Sequence, residues 1–190
     1  MKKIVLDIIF CCVCLSINAQ SHLTFKGIPI VGDANEFALK LRDKGYTLID
    51  SNDNFYFFVG TFAGHENVTI AVVGTPKTNT VYKVSVFFEK SESFSSLEIQ
   101  YKSLLKSYID KYGKPESSYD FFLDPYYKGD GFELQALKND KCRYASFFSV
   151  DNGHLIVEIA KTQNVMVTYE DLEGAQLFTK ERSMIISDDI

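Results

Sequence analysis

The sequence predicts an α+β fold in which two helices cover one face of a single antiparallel β-sheet. Three observations predict it: an aromatic-rich composition, two capped helical segments, and short strand-like segments after each helix. The chain has 190 residues with 16 Phe and 11 Tyr but no Trp, and Phe and Tyr favour strands. Its 46% hydrophobic and 24% charged residues are typical of globular domains. We therefore expect tandem α-β-β-β-β units in one sheet.

The first unit opens with a capped helix. Asp33 can cap the free amides of the first turn, and Glu36 three residues later completes a capping box. Gly45 supplies a left-handed end to this helix. Four strand-like segments follow: Tyr46 to Asp50, Phe55 to Phe62, Val68 to Val73, and Val81 to Glu89. In the last of these, alternation places Tyr82, Val84, Val86 and Phe88 on one face, as in an antiparallel strand with one face on the core.

The second unit opens with a longer amphipathic helix. Ser95 and Glu98 predict a second capping box, with Phe94 stapled onto Ile99. An apolar stripe recurs at helical spacing through Leu97, Tyr101, Leu104, Leu105, Tyr108 and Tyr112. Gly113 and Pro115 end the helix. Five strand-like segments follow: Tyr119 to Leu123, Phe132 to Leu137, Cys142 to Val150, Leu155 to Ala160, and Val165 to Tyr169. For the tail from Glu170 to Ile190 we expect a short helix or a frayed segment.

The two units resemble each other where their helices end. Asp43-Lys44-Gly45-Tyr46 closes the first helix and Asp110-Lys111-Tyr112-Gly113 closes the second. We interpret residues 33–90 and 94–170 as pseudo-repeats. No linker rich in Gly, Ser or Pro separates them, so residues 20–190 are expected to form a single α+β domain.

The N-terminus has the three-part pattern of a secretory signal peptide. Lys2 and Lys3 precede an apolar segment from Ile4 to Leu15, and Ala19 offers a small residue for cleavage. The apolar segment is shorter than the roughly 20 residues of a membrane-spanning helix. We therefore expect residues 1–19 to be a signal peptide, which makes the protein periplasmic or secreted, with no integral membrane segment in the mature chain.

Two alternatives stay open for this N-terminal segment. It could be a buried strand of the domain. Alternatively, Cys11, Cys12 or Cys14 could carry a lipid anchor. None of these cysteines follows the small-residue pattern that lipoprotein processing prefers, so the cleaved signal peptide is the favoured interpretation.

Charge and cysteine content restrict the possible partners and chemistry. The net charge is −5, and loss of residues 1–19 removes two lysines and one aspartate, which leaves −6. Nucleic acid is therefore not expected as a partner, because a phosphate backbone requires a basic surface. Cys142 is then the one remaining cysteine, so no intramolecular disulfide can form. Its place in an alternating segment predicts a small buried hydrophobic residue rather than a nucleophile.

Three short segments carry a family resemblance. They are Phe25-Lys26-Gly27-Ile28-Pro29-Ile30 near the start of the mature chain, Lys111-Tyr112-Gly113-Lys114-Pro115 at the end of the second helix, and Val165-Met166-Val167-Thr168-Tyr169 in a late strand. Together they resemble a family of uncharacterised small exported proteins of gut-dwelling Gram-negative anaerobes, which implies no particular activity. The tandem arrangement is also similar in outline to that of the β-lactamase inhibitor protein, whose open sheet face binds an enzyme. That likeness is topological and transfers no residue.

The sequence offers no catalytic or metal-binding motif. The three histidines, His22, His65 and His154, share no metal-ligand spacing. The segment from Asp50 imitates the opening of a calcium loop, but Phe55 stands where the turn needs Gly and Thr61 where a bidentate Glu is required. We therefore expect no bound metal, no cofactor and no catalytic residue.

Aromatic residues are the candidate binding residues. Tyr126 and Tyr127 lie in a predicted loop after Asp124-Pro125, where they could anchor a partner or fold back onto the sheet edge. Phe55 and Phe57 belong to a segment that is apolar on both faces. Such a strand is either central and covered twice, or it presents an aromatic patch to a partner.

Two functions from different classes fit these observations. The first is an exported, non-catalytic binding module, inhibitor-like or part of the envelope, that binds another envelope or secreted protein through the sheet face opposite the helices. The alternative is an exported hydrolase that acts on wall or glycan material through two carboxylates about 5–10 Å apart. A third possibility is a subunit of a larger envelope assembly.

Overall fold

The computed structural model describes residues 22–188. The proposed signal peptide lies outside these residues. The first part of the chain contains β1 (Thr24–Phe25), β2 (Ile28–Pro29), α1 (Ala34–Asp43), β3 (Thr47–Asn52), β4 (Phe55–Phe62), β5 (His65–Gly74) and β6 (Val81–Phe87). The second part contains α2 (Phe94–Tyr112), β7 (Ser117–Phe122), α3 (Glu133–Lys138), β8 (Cys142–Val150), β9 (Gly153–Ala160), β10 (Asn164–Asp171) and α4 (Leu172–Asp188).

Eight strands form one sheet in the order β3-β4-β5-β6-β10-β9-β8-β7. Every neighbouring pair is antiparallel. Each unit is thus a four-stranded meander, and the last strands of the two units, β6 and β10, pair with each other. That central pairing runs from Met166 opposite Phe87 to Glu170 opposite Lys83. β1 and β2 form a separate small hairpin.

Helices α1 and α2 bury their apolar faces in the same core. Phe37 and Leu41 of α1, together with Leu97 and Leu104 of α2, belong to one continuous cluster of buried side chains. The strand residues of that cluster come from one face of the sheet and include Phe58, Ile70, Val72, Val84, Val86, Phe148, Leu155, Val157, Val165 and Val167. The α+β fold class is therefore confirmed, with one antiparallel sheet carrying two helices on one face.

The sequence predicted the N-cap of α1 correctly but not that of α2. Asp33 caps α1 as expected, because its carboxylate accepts hydrogen bonds from the amides of Asn35 and Glu36. The cap of α2 is Ser93, whose hydroxyl accepts from the Ser96 amide, and not Ser95. The expected staple is also wrong, since Ile99 is 71% exposed.

The strand predicted from Phe132 to Leu137 is wrong, because Glu133–Lys138 form the helix α3 with Phe132 at its N-cap. Its residues Glu-Leu-Gln-Ala-Leu-Lys are all good helix formers, and over six residues this propensity outweighs the alternation. Side chains also fix the start of the helix. The Phe132 amide donates to Asp130, and the Gly129 amide donates to Glu133.

The C-terminal tail forms a helix of 17 residues, α4, which packs on the end of the sheet. Gly174 allows the helix backbone to approach Tyr82, because a Cβ there would lie 2.5 Å from the Tyr82 Cβ. Phe178 stacks on the Tyr82 ring with centroids 4.8 Å apart. Tyr82 therefore packs on α4 and lies outside the main core cluster. The other three residues predicted for its face of β6, Val84, Val86 and Phe88, do belong to that cluster. The register shift of β6 against β5 beside this residue explains the departure.

Candidate functional site

The sheet face opposite the core is the candidate site. In β4 the core side chains are Tyr56 and Phe58, so Phe57 between them points to the other face. The same alternation along the neighbouring strands assembles an apolar surface there. We call it the outer face, and its large side chains are Phe57, Phe87, Met166, Ile156, Phe147, Tyr119 and Phe121. Tyr119 and Phe121 are each 40% exposed, and the other five are half-buried.

An arginine lies among the aromatic rings at the β7–β8 end of the outer face. The guanidinium carbon of Arg143 is 5.1 Å from the centroid of the Tyr119 ring and 5.5 Å from that of Phe147. Tyr119 also meets Phe121 edge-on at 6.2 Å. Arginine and aromatic residues dominate the binding energy of protein interfaces. This cluster is therefore the part of the outer face best suited to anchor a partner.

Glu158 is a half-buried carboxylate of the outer face. It lies directly opposite Ala145 on β8 and Met166 on β10. Burial raises the pKa of the Glu158 carboxyl, and the positive charge of Arg143 offsets part of that rise. The side chain therefore contributes a polar group that is already partly desolvated before any partner arrives.

A shallow cavity of about 540 Å³ indents the other half of the outer face. Phe57 and Phe87 form part of its lining, and Glu66 and Glu89 contribute carboxylates. This is the place where the hydrolase alternative would find two carboxylates in one cavity. Within residues 22–188, no three His, Cys, Asp or Glu side chains are grouped to hold a metal ion.

Phe55 and Phe57 both lie on β4, the second strand from one edge of the sheet. Phe55 is 46% exposed, so this strand is not covered on both faces. This exposure agrees with an aromatic patch on one face of the sheet and not with a central strand that is covered twice. Whether a partner binds there stays a prediction.

Tyr126 and Tyr127 have different environments in the loop after β7. Tyr126 packs partly against the core, and its hydroxyl accepts a hydrogen bond from the Asn139 side-chain amide at 3.1 Å. Tyr127 is 66% exposed. The structure does not bring this loop to Phe55 and Phe57, because six strand spacings of roughly 4.8 Å separate β4 from β7, or about 29 Å.

The residues around Arg143 were not among the binding residues predicted from the sequence. The alternation of β8 could have indicated them. Tyr144 and Phe148 face the core, so Arg143 and Phe147 face the opposite side. Alternation within one strand could not show that Tyr119 lies beside them. That proximity depends on the pairing of β7 with β8.

His22 contacts the start of α4 and Cys142 belongs to the core, whereas His65 and His154 are exposed. His22 Nδ1 lies 3.1 Å from Asp171, and Asp171 in turn accepts a hydrogen bond from the Gly174 amide at the start of α4. Cys142 is buried, and burial raises the pKa of its thiol to about 12. It is therefore a protonated core residue, as its alternating segment predicted.

Comparisons with known proteins found no match, so the function has to be inferred from the geometry described above. No protein-family model, no curated protein and no solved structure matches the chain. No helix in the part of the chain that the structure describes is long and apolar enough to cross a membrane.

Proposed function

We propose that the protein is an exported, non-catalytic binding module whose outer face binds another envelope or secreted protein. The observation that carries the proposal is the aromatic surface, with an arginine at its β7–β8 end, on the face that α1 and α2 leave uncovered. Arg143 between Tyr119 and Phe147 is its anchor. Phe55, which is 46% exposed, would extend the contact along β4. The loop that carries Tyr127 is held against α2 by the Lys128–Glu98 ion pair, so Tyr127 is not part of this surface.

Neither α1 nor α2 covers the outer face. Both bury their apolar stripes on the core side, so neither shields Phe57, Phe87 or Phe147. Contiguous exposed apolar surface on a monomer is a marker of an interaction site. A partner that covers these rings would gain hydrophobic stabilisation of about 25 cal/mol per Å² of apolar surface buried.

Site-specific photocrosslinking in the producing bacterium tests this proposal. The photoreactive residue p-benzoyl-phenylalanine replaces Phe147 or Phe57 on the outer face. The matched control carries it at Ile99, which is 71% exposed on α2. We expect one adduct of constant mass from both outer-face positions and none from the control.

A second variant tests the role of the anchor. Arg143→Ala should weaken the adduct formed at Phe57, although the two residues lie on different strands, because one partner would span the face. Lys161→Ala, on the exposed turn after β9, should leave the adduct unchanged. Adducts that form equally at Ile99, or that are insensitive to Arg143, would contradict the proposal.

A further inference from the structure

A second cavity lies on the core side of the sheet, away from the outer face. It occupies about 320 Å³ between the β1–β2 hairpin and the last turns of α2, a size within the range of small-molecule sites. Its lining consists of Thr24, Lys26, Gly27, Phe62, Ala63, Ser107, Tyr108, Lys111, Tyr112 and Tyr169.

Aromatic rings form much of the wall of this cavity. Phe62 is 8% exposed, and Tyr108 and Tyr169 are 6% exposed each. Tyr112 stacks on Tyr108 with ring centroids 5.8 Å apart. Rigid rings with little access to water suit the apolar part of a ligand, because little order is lost when they bind it.

Two residues of the cavity lining, Tyr108 and Tyr169, have one more hydroxyl hydrogen than the hydrogen bond between them uses. The Tyr108 and Tyr169 hydroxyls lie 2.5 Å apart and share one hydrogen bond, for which one of them donates. Within residues 22–188 neither hydroxyl has a further hydrogen-bond partner, so the other hydroxyl hydrogen is available to a ligand. A phenol is protonated at neutral pH, and burial raises the pKa of both hydroxyls further, so this donor persists.

The charges around the cavity are all positive. The Lys26 ammonium lies 5.4 Å from the centroid of the Phe62 ring, and the Lys111 ammonium lies 4.7 Å from that of Tyr112. Neither lysine forms a salt bridge within the described chain, and no carboxylate lines the cavity. In a protein of net charge −5, this local excess of positive charge favours an anionic ligand.

We propose that this cavity binds a small amphiphile with an apolar body and one carboxylate. The apolar body packs on Phe62 and Tyr112. The carboxylate accepts the free phenol hydrogen of the Tyr108–Tyr169 pair and is attracted by Lys26 and Lys111. This binding is separate from the protein partner of the outer face, and either can exist without the other.

Three probes of nearly equal shape test the proposal by titration calorimetry and amide chemical-shift mapping on residues 20–190. They are 3-phenylpropanoate, its neutral amide, and 3-phenylpropylamine. We expect saturable binding of the carboxylate, weaker binding of the amide and none of the amine, with shifts centred on residues 24–27 and 107–112. No saturation by the carboxylate below about 10 mM, or equal binding of the amine, would overturn the proposal.

Charge variants separate this site from general attraction to the surface. Lys26→Gln and Lys111→Gln should each weaken carboxylate binding about threefold, which corresponds to partly exposed ion pairs. Lys106→Gln, on the same helix but outside the cavity lining, is the control and should leave the affinity unchanged. An equal loss in all three variants would mean that the long-range charge of the protein, and not this cavity, holds the probe. Because these lysines are exposed, the variants should fold normally.

Discussion

Replacement of Glu181 by alanine should release helix α4 from the turn between β5 and β6. Glu181 is 3% exposed, and its carboxylate accepts hydrogen bonds from the Lys77 amide at 2.6 Å, the Thr78 amide at 3.2 Å and the Thr78 hydroxyl at 2.6 Å. The variant removes all three bonds in one step. The amides of Lys77 and Thr78 then lose the hydrogen-bond acceptor that Glu181 supplies from α4.

The expected loss of stability follows from these contacts. A hydrogen bond to a charged group contributes roughly 1.5–3 kcal/mol, so three bonds set an upper bound of several kcal/mol. Lys77 and Thr78 are exposed and regain water in the variant, which reduces the loss. We expect about 3 kcal/mol in the free energy of unfolding, or a fall in Tm of about 6–12 °C for a domain of this size.

The contribution of Glu181 should depend on pH. Desolvation would raise the pKa of its carboxyl, but the hydrogen bonds from Thr78 and Lys77 outweigh it and hold the pKa below the ordinary value of 4.5. A carboxyl whose pKa is lower in the folded state stabilises the fold above its unfolded pKa. This stabilisation is lost as the pH falls through the folded pKa. The difference between the wild type and Glu181→Ala should therefore be largest at neutral pH and shrink below pH 4.5.

Urea denaturation followed by circular dichroism measures both effects. Asp188→Ala is the matched control, because Asp188 is also on α4 and also contacts Lys77, at 3.0 Å, but this ion pair is exposed and should contribute at most about 1 kcal/mol. The reasoning is refuted if the two variants lose the same stability at pH 7. It is also refuted if the loss in Glu181→Ala is unchanged at pH 3.

Three further predictions concern the core. Leu155→Ala removes a side chain that is fully buried and should cost about 2–5 kcal/mol in urea denaturation; a loss below about 1 kcal/mol would contradict the burial of this side chain. Gly60→Ala would place a Cβ 2.4 Å from the Tyr46 ring and should cost about 1–3 kcal/mol by the same assay, whereas an unchanged free energy of unfolding would show that the ring moves freely. Cys142 should react with iodoacetamide at pH 8 much more slowly in the native protein than in urea, because burial raises its pKa to about 12; equal rates would argue against its burial.

Local patterns in the sequence were sufficient to predict most strands and the helix α1. Hydrophobic alternation and turn residues identify a strand from its own segment, and Asp33 marks a helix start from its own side chain. They failed at Phe132–Leu137, where alternation and helix propensity pointed to different structures in a short segment. They also left α4 undecided, since its contacts with Tyr82 and with the turn at Lys77 are far away in sequence.

The candidate site could be predicted only in part for the same reason. The double-sided apolar character of Phe55 and Phe57 was visible within one strand, and Tyr127 was visible as a loop aromatic. The cluster around Arg143 requires knowledge of which strands are neighbours. The phenol pair of Tyr108 and Tyr169 joins α2 to β10 across 61 positions of sequence, which no local pattern encodes.

The pairing of β6 with β10 relates the two four-stranded units by an approximate two-fold axis. Each is the last strand of its own unit, and because they run antiparallel, this axis is normal to the sheet. The axis places β7 and β8 at the positions that β3 and β4 occupy in the other unit, and the Arg143 cluster lies on β7 and β8. The two ends of the outer face therefore differ in chemistry although their strands are connected in the same way.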